Sequence, residues 1–265
     1  GIVPKLSKEN KGYIEKKTSL LDKAPILHEP YVEWYIENNN FLKSEFFYKS
    51  NIKIVDNVGL YENIKLRFLN ASHSAVSYIG LLLGYKFVHE VMEDYDCYKF
   101  IYNFMNLEVL PIVKVPKDFN KSKYINTVLE RFKNPHLNDE LKRISIDGSY
   151  KINIRLLDTI KDRLSDKNCS YSPFIITCWF KFLFGKDINN NLIEINDPNK
   201  KTLLGIINNK NNIDQIIENF LNYKFVFDIN KKDKFFLKNN IKTNFNNINN
   251  YGLKNSIQNI NNSKL

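Results

Sequence analysis

Apolar residues recur along most of this chain at the three- and four-residue spacing of helices rather than the alternation of strands. Leu66, Leu69, Val76 and Leu83 mark the inward face of a long helix from about Leu60 to Leu83, and Gly84 stands where a left-handed C-cap belongs. An earlier helix is expected to start at Glu29-Pro30, because proline suits a first helical turn, and to carry Tyr31, Trp34 and Tyr35 at helical spacing. Between them Phe46 to Val55 alternates briefly through Ile52 and Ile54, the pattern of a short strand. Further helices are expected at about 87–107, 122–133, 137–163, 171–184 and 212–222.

The stretch from Lys231 to Leu265 is so rich in Asn and Lys that its composition suggests low complexity. Its apolar residues say otherwise: Leu237, Ile241, Phe245 and Ile248 keep helical spacing, Gly252 interrupts it, and Leu253, Ile257 and Ile260 resume it. Two packed terminal helices are therefore expected rather than a disordered tail. Only 9 glycines and 8 prolines leave little punctuation for an all-β fold. The expected fold class is mainly α, a multi-helical domain with at most a short strand or two.

A hydrophobic fraction of 43% with 14% aromatics excludes whole-chain disorder. No apolar run approaches the roughly 20 residues a bilayer requires, so no membrane partner is expected. No charged-then-apolar leader opens the chain, and its first residue is Gly1 rather than Met; a processed or truncated cytoplasmic product is expected. The net charge of +10 invites a nucleic-acid reading. Yet lysines alternate with acids, as in Lys161-Asp162-Arg163, and form no basic stripe, so no nucleic-acid partner is expected. Cys97, Cys169 and Cys178 lack C-x-x-C spacing, and His89-Glu90 meets Glu93 where a second metal-binding histidine should stand. No metal is expected. Neither G-x-G-x-x-G nor G-x-x-x-x-G-K-[ST] occurs, so the chain carries no recognisable nucleotide-phosphate loop.

Candidate chemistry concentrates in Lys65-Leu66-Arg67-Phe68-Leu69-Asn70-Ala71-Ser72-His73-Ser74. On a regular helix Lys65, Glu62, His73 and Asn70 fall at about 0°, 60°, 80° and 140°, a polar stripe on an otherwise apolar element. A solvated surface face would look the same. The residue types point further: a partly desolvated lysine can act as a general base near neutral pH, and Asn and His can donate to an oxygen that becomes a carbonyl. Such a set can deprotonate a secondary alcohol without zinc while a separate nicotinamide accepts hydride. Arg143, Asp147 and Lys151 stand at i, i+4 and i+8 if helical, which is also the pattern of a surface ion-pair ladder.

The spacing K-x-x-x-x-N-x-x-H resembles the signature of the long-chain polyol dehydrogenase family, which includes mannitol 2-dehydrogenases and fructuronate reductases. The resemblance continues through Tyr78-Ile79-Gly80 with Gly84-Tyr85, through His28-Glu29-Pro30 with Trp34, and through Glu130-Arg131-Phe132-Lys133-Asn134-Pro135. Arg143-Ile144-x-x-Asp147-Gly148-Ser149-x-Lys151 is a further match. The resemblance implies Lys65 as general base and acid, Asn70 and His73 as holders of the reacting oxygen, and Glu62 as proton relay or partner of Lys65. It implies that Arg143 and Lys151 bind the hydroxyl or carboxylate end of the substrate. Arg155 is similar to the arginine of the uronate-type pattern D-G-S-Q-K-x-P-x-R, which favours a sugar acid over mannitol, although Tyr150 and Asn153 replace its Gln and Pro. The family joins an N-terminal Rossmann domain to a helical C-terminal domain and uses NAD or NADP without metal. Only the second domain is expected here, over 24–265, with 1–23 as a junction remnant because Gly1-Ile2-Val3-Pro4 is similar to the end of that junction. The implied function is the substrate half of a dehydrogenase for a polyol or its keto-sugar or uronate partner, working with a separate Rossmann half. The rival is a degenerate, non-catalytic helical remnant or interaction module.

Overall fold

A computed structural model describes residues 8–26, 33–38, 52–164, 169–208 and 212–263. They form two compact units, one of Gly1–Val58 with Pro135–Asp139 and one of Gly59–Asn134 with Glu140–Leu265. The first unit holds helix α1 (Lys8–Thr18) and a two-stranded parallel sheet, β1 (Trp34–Glu37) paired with β2 (Ile52–Val55) so that Trp34 faces Ile52 and Glu37 faces Val55. The strand expected around Ile52 and Ile54 is present. The helix expected through Trp34 and Tyr35 is instead β1. Three aromatics within five residues are too short a run to fix a period, and Trp-Tyr-Ile is a strand-favouring run once a partner strand is available. Glu29, Pro30 and Tyr31, together with the His28-Glu29-Pro30 and Gly1–Pro4 matches, lie outside the described residues.

The second unit is helical. Helix α2 (Val58–Ile64) runs into a π-helical turn (Lys65–Asn70) and on into α3 (Ala71–Leu83), so the long helix predicted over 60–83 exists but is not regular. It stops as expected at Gly84, whose φ of 84° allows the Tyr85 N–H to reach back to the Gly80 carbonyl at 2.9 Å. The helix expected at 87–107 is broken into α4 (Val88–Glu93), α5 (Tyr95–Asn103) and a second π-helical turn (Phe104–Val109). Asp94 makes the break by capping α5, accepting from the N–H groups of Asp96 and Cys97. Helix α6 (Lys121–Lys133) matches its expected bounds.

The helix expected at 137–163 is replaced by α7 (Leu141–Ile144) and α8 (Gly148–Leu164), separated by Asp147 in the left-handed region at φ 59°. The ladder of Arg143, Asp147 and Lys151 on one regular helix is therefore not formed. Helices α9 (Tyr171–Phe182) and α11 (Ile213–Leu221) were foreseen, and α10 (Lys200–Ile207) was not. The Asn-rich terminus folds as α12 (Lys231–Tyr251) and α13 (Leu253–Asn262), parted at Gly252 with Leu237, Ile241, Ile248, Leu253 and Ile257 buried. Periodicity outweighs composition there, as expected.

Helix α9 is buried on nearly every side and packs on α3, α8 and α12, as an element that is apolar all round must. Trp179 and Phe180 meet Phe220 with ring centroids 5.2 and 4.8 Å apart. Truncating either ring to alanine is worth about 3–5 kcal/mol. Helix α3 is likewise buried on most of its surface, by large side chains such as Tyr78 and Ile79 as well as by small ones. A Cβ at Gly80 would lie 2.5 Å from Val91 and 2.6 Å from Leu141, so α4 and α7 approach where no side chain stands. That rigid framework fixes α3, which carries the candidate site. Among the described residues no helix is long and apolar enough to cross a membrane.

Candidate active site

Four parts of the second unit build the site: the first π turn with the start of α3, the end of α6, α7 with Arg143, and the start of α8. In the π turn the Ala71 N–H donates to the Leu66 carbonyl five residues back, and buried Phe68 and Leu69 anchor the turn to the core. Adding a residue to a turn re-aims the side chains around it, so the angles drawn for a regular helix do not hold between Lys65 and Asn70. Lys65 and Glu62 are exposed, so the partly desolvated setting expected for Lys65 is not formed among the described residues, whereas Asn70 and His73 are half-buried.

The His73 ring stacks on Phe132 of α6 at 4.4 Å between centroids and 27° between planes. Burial, aided by the charges of Arg155, Arg131, Arg143 and Lys151, pushes its pKa down to about 3. The imidazole is thus neutral across the physiological range and offers one N–H donor and one acceptor nitrogen. The structure brings together His73 and all three expected substrate-binding cations. It adds Arg131, which the sequence reading placed only inside a motif; its position beside Phe132, the ring that stacks on His73, was the available signal.

Lys151 is half-buried and donates to the Ile144 carbonyl at 3.1 Å. Burial lowers its pKa, Arg155 and Arg143 act in the same direction, and Asp147 and Asp197 oppose them. Arg155, one turn further along α8, uses Nη1 to donate to the Asn70 carbonyl and to Ser74 Oγ, both at 3.1 Å. Lys151 and Arg155 share a face because they are four residues apart. The direction of that face is set by Asp147-Gly148-Ser149. A Cβ at Gly148 would lie 2.6 Å from both Trp179 Nε1 and the Tyr78 hydroxyl, so only glycine lets α8 start this close to α3 and α9. Buried Asp197 then holds the start of α8, accepting from Ser149 N–H and Ser149 Oγ at 2.7 Å each. Asp197 carried no signal in the sequence, since its partner lies 48 residues away.

The profile of the Mannitol dehydrogenase C-terminal domain matches residues 57–249 of this chain, which include every one of these groups. The chain belongs to that family. Mannitol dehydrogenase 2 of Saccharomyces cerevisiae is 34% identical over 206 residues, covering 76% of this chain and 41% of the yeast protein. Mannitol 2-dehydrogenase of Pyricularia oryzae is 33% identical over the same shares of the two chains. The chain therefore spans about two fifths of the length of these relatives. Mannitol 2-dehydrogenase of Pseudomonas fluorescens, solved as a ternary complex with NAD and D-mannitol, superposes with a TM-score of 0.88 at 25% identity, covering 99% of this chain and 53% of that one. A substrate-free D-sorbitol dehydrogenase has the same fold, with a TM-score of 0.83 at 24% identity over 97% of this chain and 52% of that one. In this chain the motif Tyr78–Tyr85 serves packing: Tyr78 is buried against the Ser145 carbonyl, Gly80 admits two helices, and Gly84 ends α3.

Proposed function

We propose that this chain forms the substrate side of an NAD-dependent, zinc-independent dehydrogenase that interconverts a secondary alcohol of a polyol or sugar acid and its ketone. The observation that carries this reading is a neutral His73 set among four cations beside the π turn that bears Lys65 and Asn70. The NAD and D-mannitol held by the Pseudomonas fluorescens relative support it. The side chains fit the alcohol half of such an exchange: an amine, a carboxamide and an uncharged imidazole can handle a proton and an oxygen, and none is a redox group.

Lys65 takes the hydroxyl proton of the substrate as the C–O bond gains double-bond character. Asn70 and His73 donate to that oxygen in both directions, and Glu62, three residues before Lys65, passes the proton on to solvent. Arg143 and Lys151 hold the far hydroxyls or carboxylate of the substrate. A nicotinamide bound by the nucleotide-binding half of the enzyme, whether joined or separate, would supply the acceptor for the hydride of the carbinol carbon. Arg131, Arg143 and Lys151 near the imidazole favour a sugar acid; the names of the relatives favour mannitol.

Consumption of NADH by the protein together with its nucleotide-binding half, offered fructose and fructuronate in turn, tests the reading. Turnover is expected, and the better substrate assigns the branch. Silence with both, from a folded protein, contradicts the reading and leaves the non-catalytic remnant.

A further inference from the structure

We propose that Arg155 is a positioning residue that braces the π turn, gripping the Asn70–Ala71 peptide from the neighbouring helix α8. The inference rests on the dehydrogenase reading for its consequence in turnover, but not for its geometry. Arg155 Nη1 donates to the Asn70 carbonyl at 3.1 Å. The N–H of that same peptide unit, on Ala71, closes the π turn by donating to the Leu66 carbonyl. One guanidinium nitrogen thus fixes one end of the peptide whose other end defines the widened turn. Ser74 Oγ completes a triangle, accepting from Nη1 at 3.1 Å and lying 3.4 Å from the Asn70 carbonyl to which it donates.

The placement of Arg155 is itself over-determined. It is reached through the Gly148 close approach and the Asp197–Ser149 anchor, so α8 cannot slide without lifting the guanidinium from the turn. Both bonds come from Nη1, which the planar guanidinium holds in a fixed orientation; a lysine would carry the same charge on a shorter, freely rotating ammonium. Arg155 also has the largest effect among the four cations that keep His73 uncharged. It therefore acts on two of the oxygen-holding residues without touching substrate: on Asn70 through its backbone and on His73 through the field. A residue that meets a substrate carboxylate directly would instead discriminate between acidic and neutral substrates.

Two measurements on the protein without substrate or cofactor test this, and neither depends on the dehydrogenase reading. Amide exchange in Arg155→Met is expected to quicken about tenfold or more at Ala71, while Tyr85 at the far end of α3 keeps its wild-type rate, because only one peptide loses its brace. NMR titration of the His73 ring, assigned with His73→Gln, is expected to move upward from about 3 in Arg155→Met. Arg155→Lys separates charge from reach and orientation: His73 stays low and Ala71 still exchanges faster, which keeps the test alive should the methionine variant not fold. In the holoenzyme kcat is expected to fall up to about 100-fold, equally for fructose and fructuronate and with little change in KM, as for a small misplacement of reacting groups. Wild-type exchange at Ala71 in both variants, or a KM increase confined to the acidic substrate, overturns the proposal. Altered exchange at Ala71 in a protein that turns over neither substrate would leave the brace standing and remove the dehydrogenase reading instead.

Discussion

At Lys65–Asn70 the widened turn presents an exposed amine and a half-buried carboxamide; at Phe104–Val109 the same backbone device presents Glu108, which has no exposed surface. The Glu108 carboxylate accepts from the N–H groups of Ser170, Tyr171 and Ser172 at 3.1, 2.8 and 2.9 Å, and from the Ser172 hydroxyl. It thereby caps α9, the central helix, from a different part of the chain. Both turns are held by an arginine of α8, Arg155 at the Asn70 carbonyl and Arg163 at the Leu107 carbonyl; the first keeps its polar groups available, and the second sends its carboxylate inward to hold something else. An extra residue in a helical turn is thus a way of aiming a side chain, and burial decides whether the aim serves chemistry or folding.

The comparison can be broken by exchanging the expected phenotypes. Asn70→Ala is expected to lower turnover about 10²–10³-fold, the loss typical of one donor to a developing oxyanion. Urea unfolding of that variant should stay close to wild type. Glu108→Ala is expected to do the reverse, lowering unfolding stability by about 3 kcal/mol or more because the buried N–H groups of Tyr171 and Ser172 and the part-buried one of Ser170 lose their acceptor. Any folded fraction should turn over normally. Should Asn70→Ala unfold the protein, or Glu108→Ala impair turnover in a fully folded sample, the division between the two turns is wrong.

A finer contrast lies in pH dependence. The pKa of His73 is lowered from 6.5 to about 3, so between those values the unfolded chain binds the extra proton and stability falls as pH falls. The slope is at most about 1.4 kcal/mol per pH unit, and His73→Gln should flatten it. Glu108 runs the other way. Burial raises its pKa above 4.5, against the hydrogen bonds from Ser172, Tyr171 and Ser170, so its contribution is largest below 4.5 and is lost as pH rises through the folded value. Denaturant midpoints measured against pH should therefore change slope in opposite directions in His73→Gln and Glu108→Gln. The same sign of change in both would show that burial does not govern these groups as described.

Much of this was legible in the sequence, for identifiable reasons. Gly84 and Gly252 announce helix ends because only glycine readily takes the backbone angles found there, and the spacing of Leu237, Ile241 and Ile248 exposes a helix beneath an Asn-rich composition. The order of Lys65, Asn70 and His73 marks the site through a resemblance rather than through periodicity. Neither π turn was readable, since one added residue hardly disturbs an apolar pattern of period 3.6. The break at Asp147 was hidden in the same way, because aspartate tolerates the left-handed region and leaves no obvious interruption. Glu108 and Asp197 act on partners 62 and 48 residues distant, a relation that local pattern does not encode.

Turnover of Lys65→Ala, measured in the protein together with its nucleotide-binding half, bears most directly on the account, because Lys65 is the one group assigned to remove the proton. The side chain is exposed, so the variant should fold with wild-type stability. Its turnover with the better substrate should drop about 10²–10⁴-fold, the range for loss of a positioned general base. Turnover near the wild-type level in a folded Lys65→Ala protein would contradict the assignment of the base and, with it, the reading of the π turn as the catalytic element.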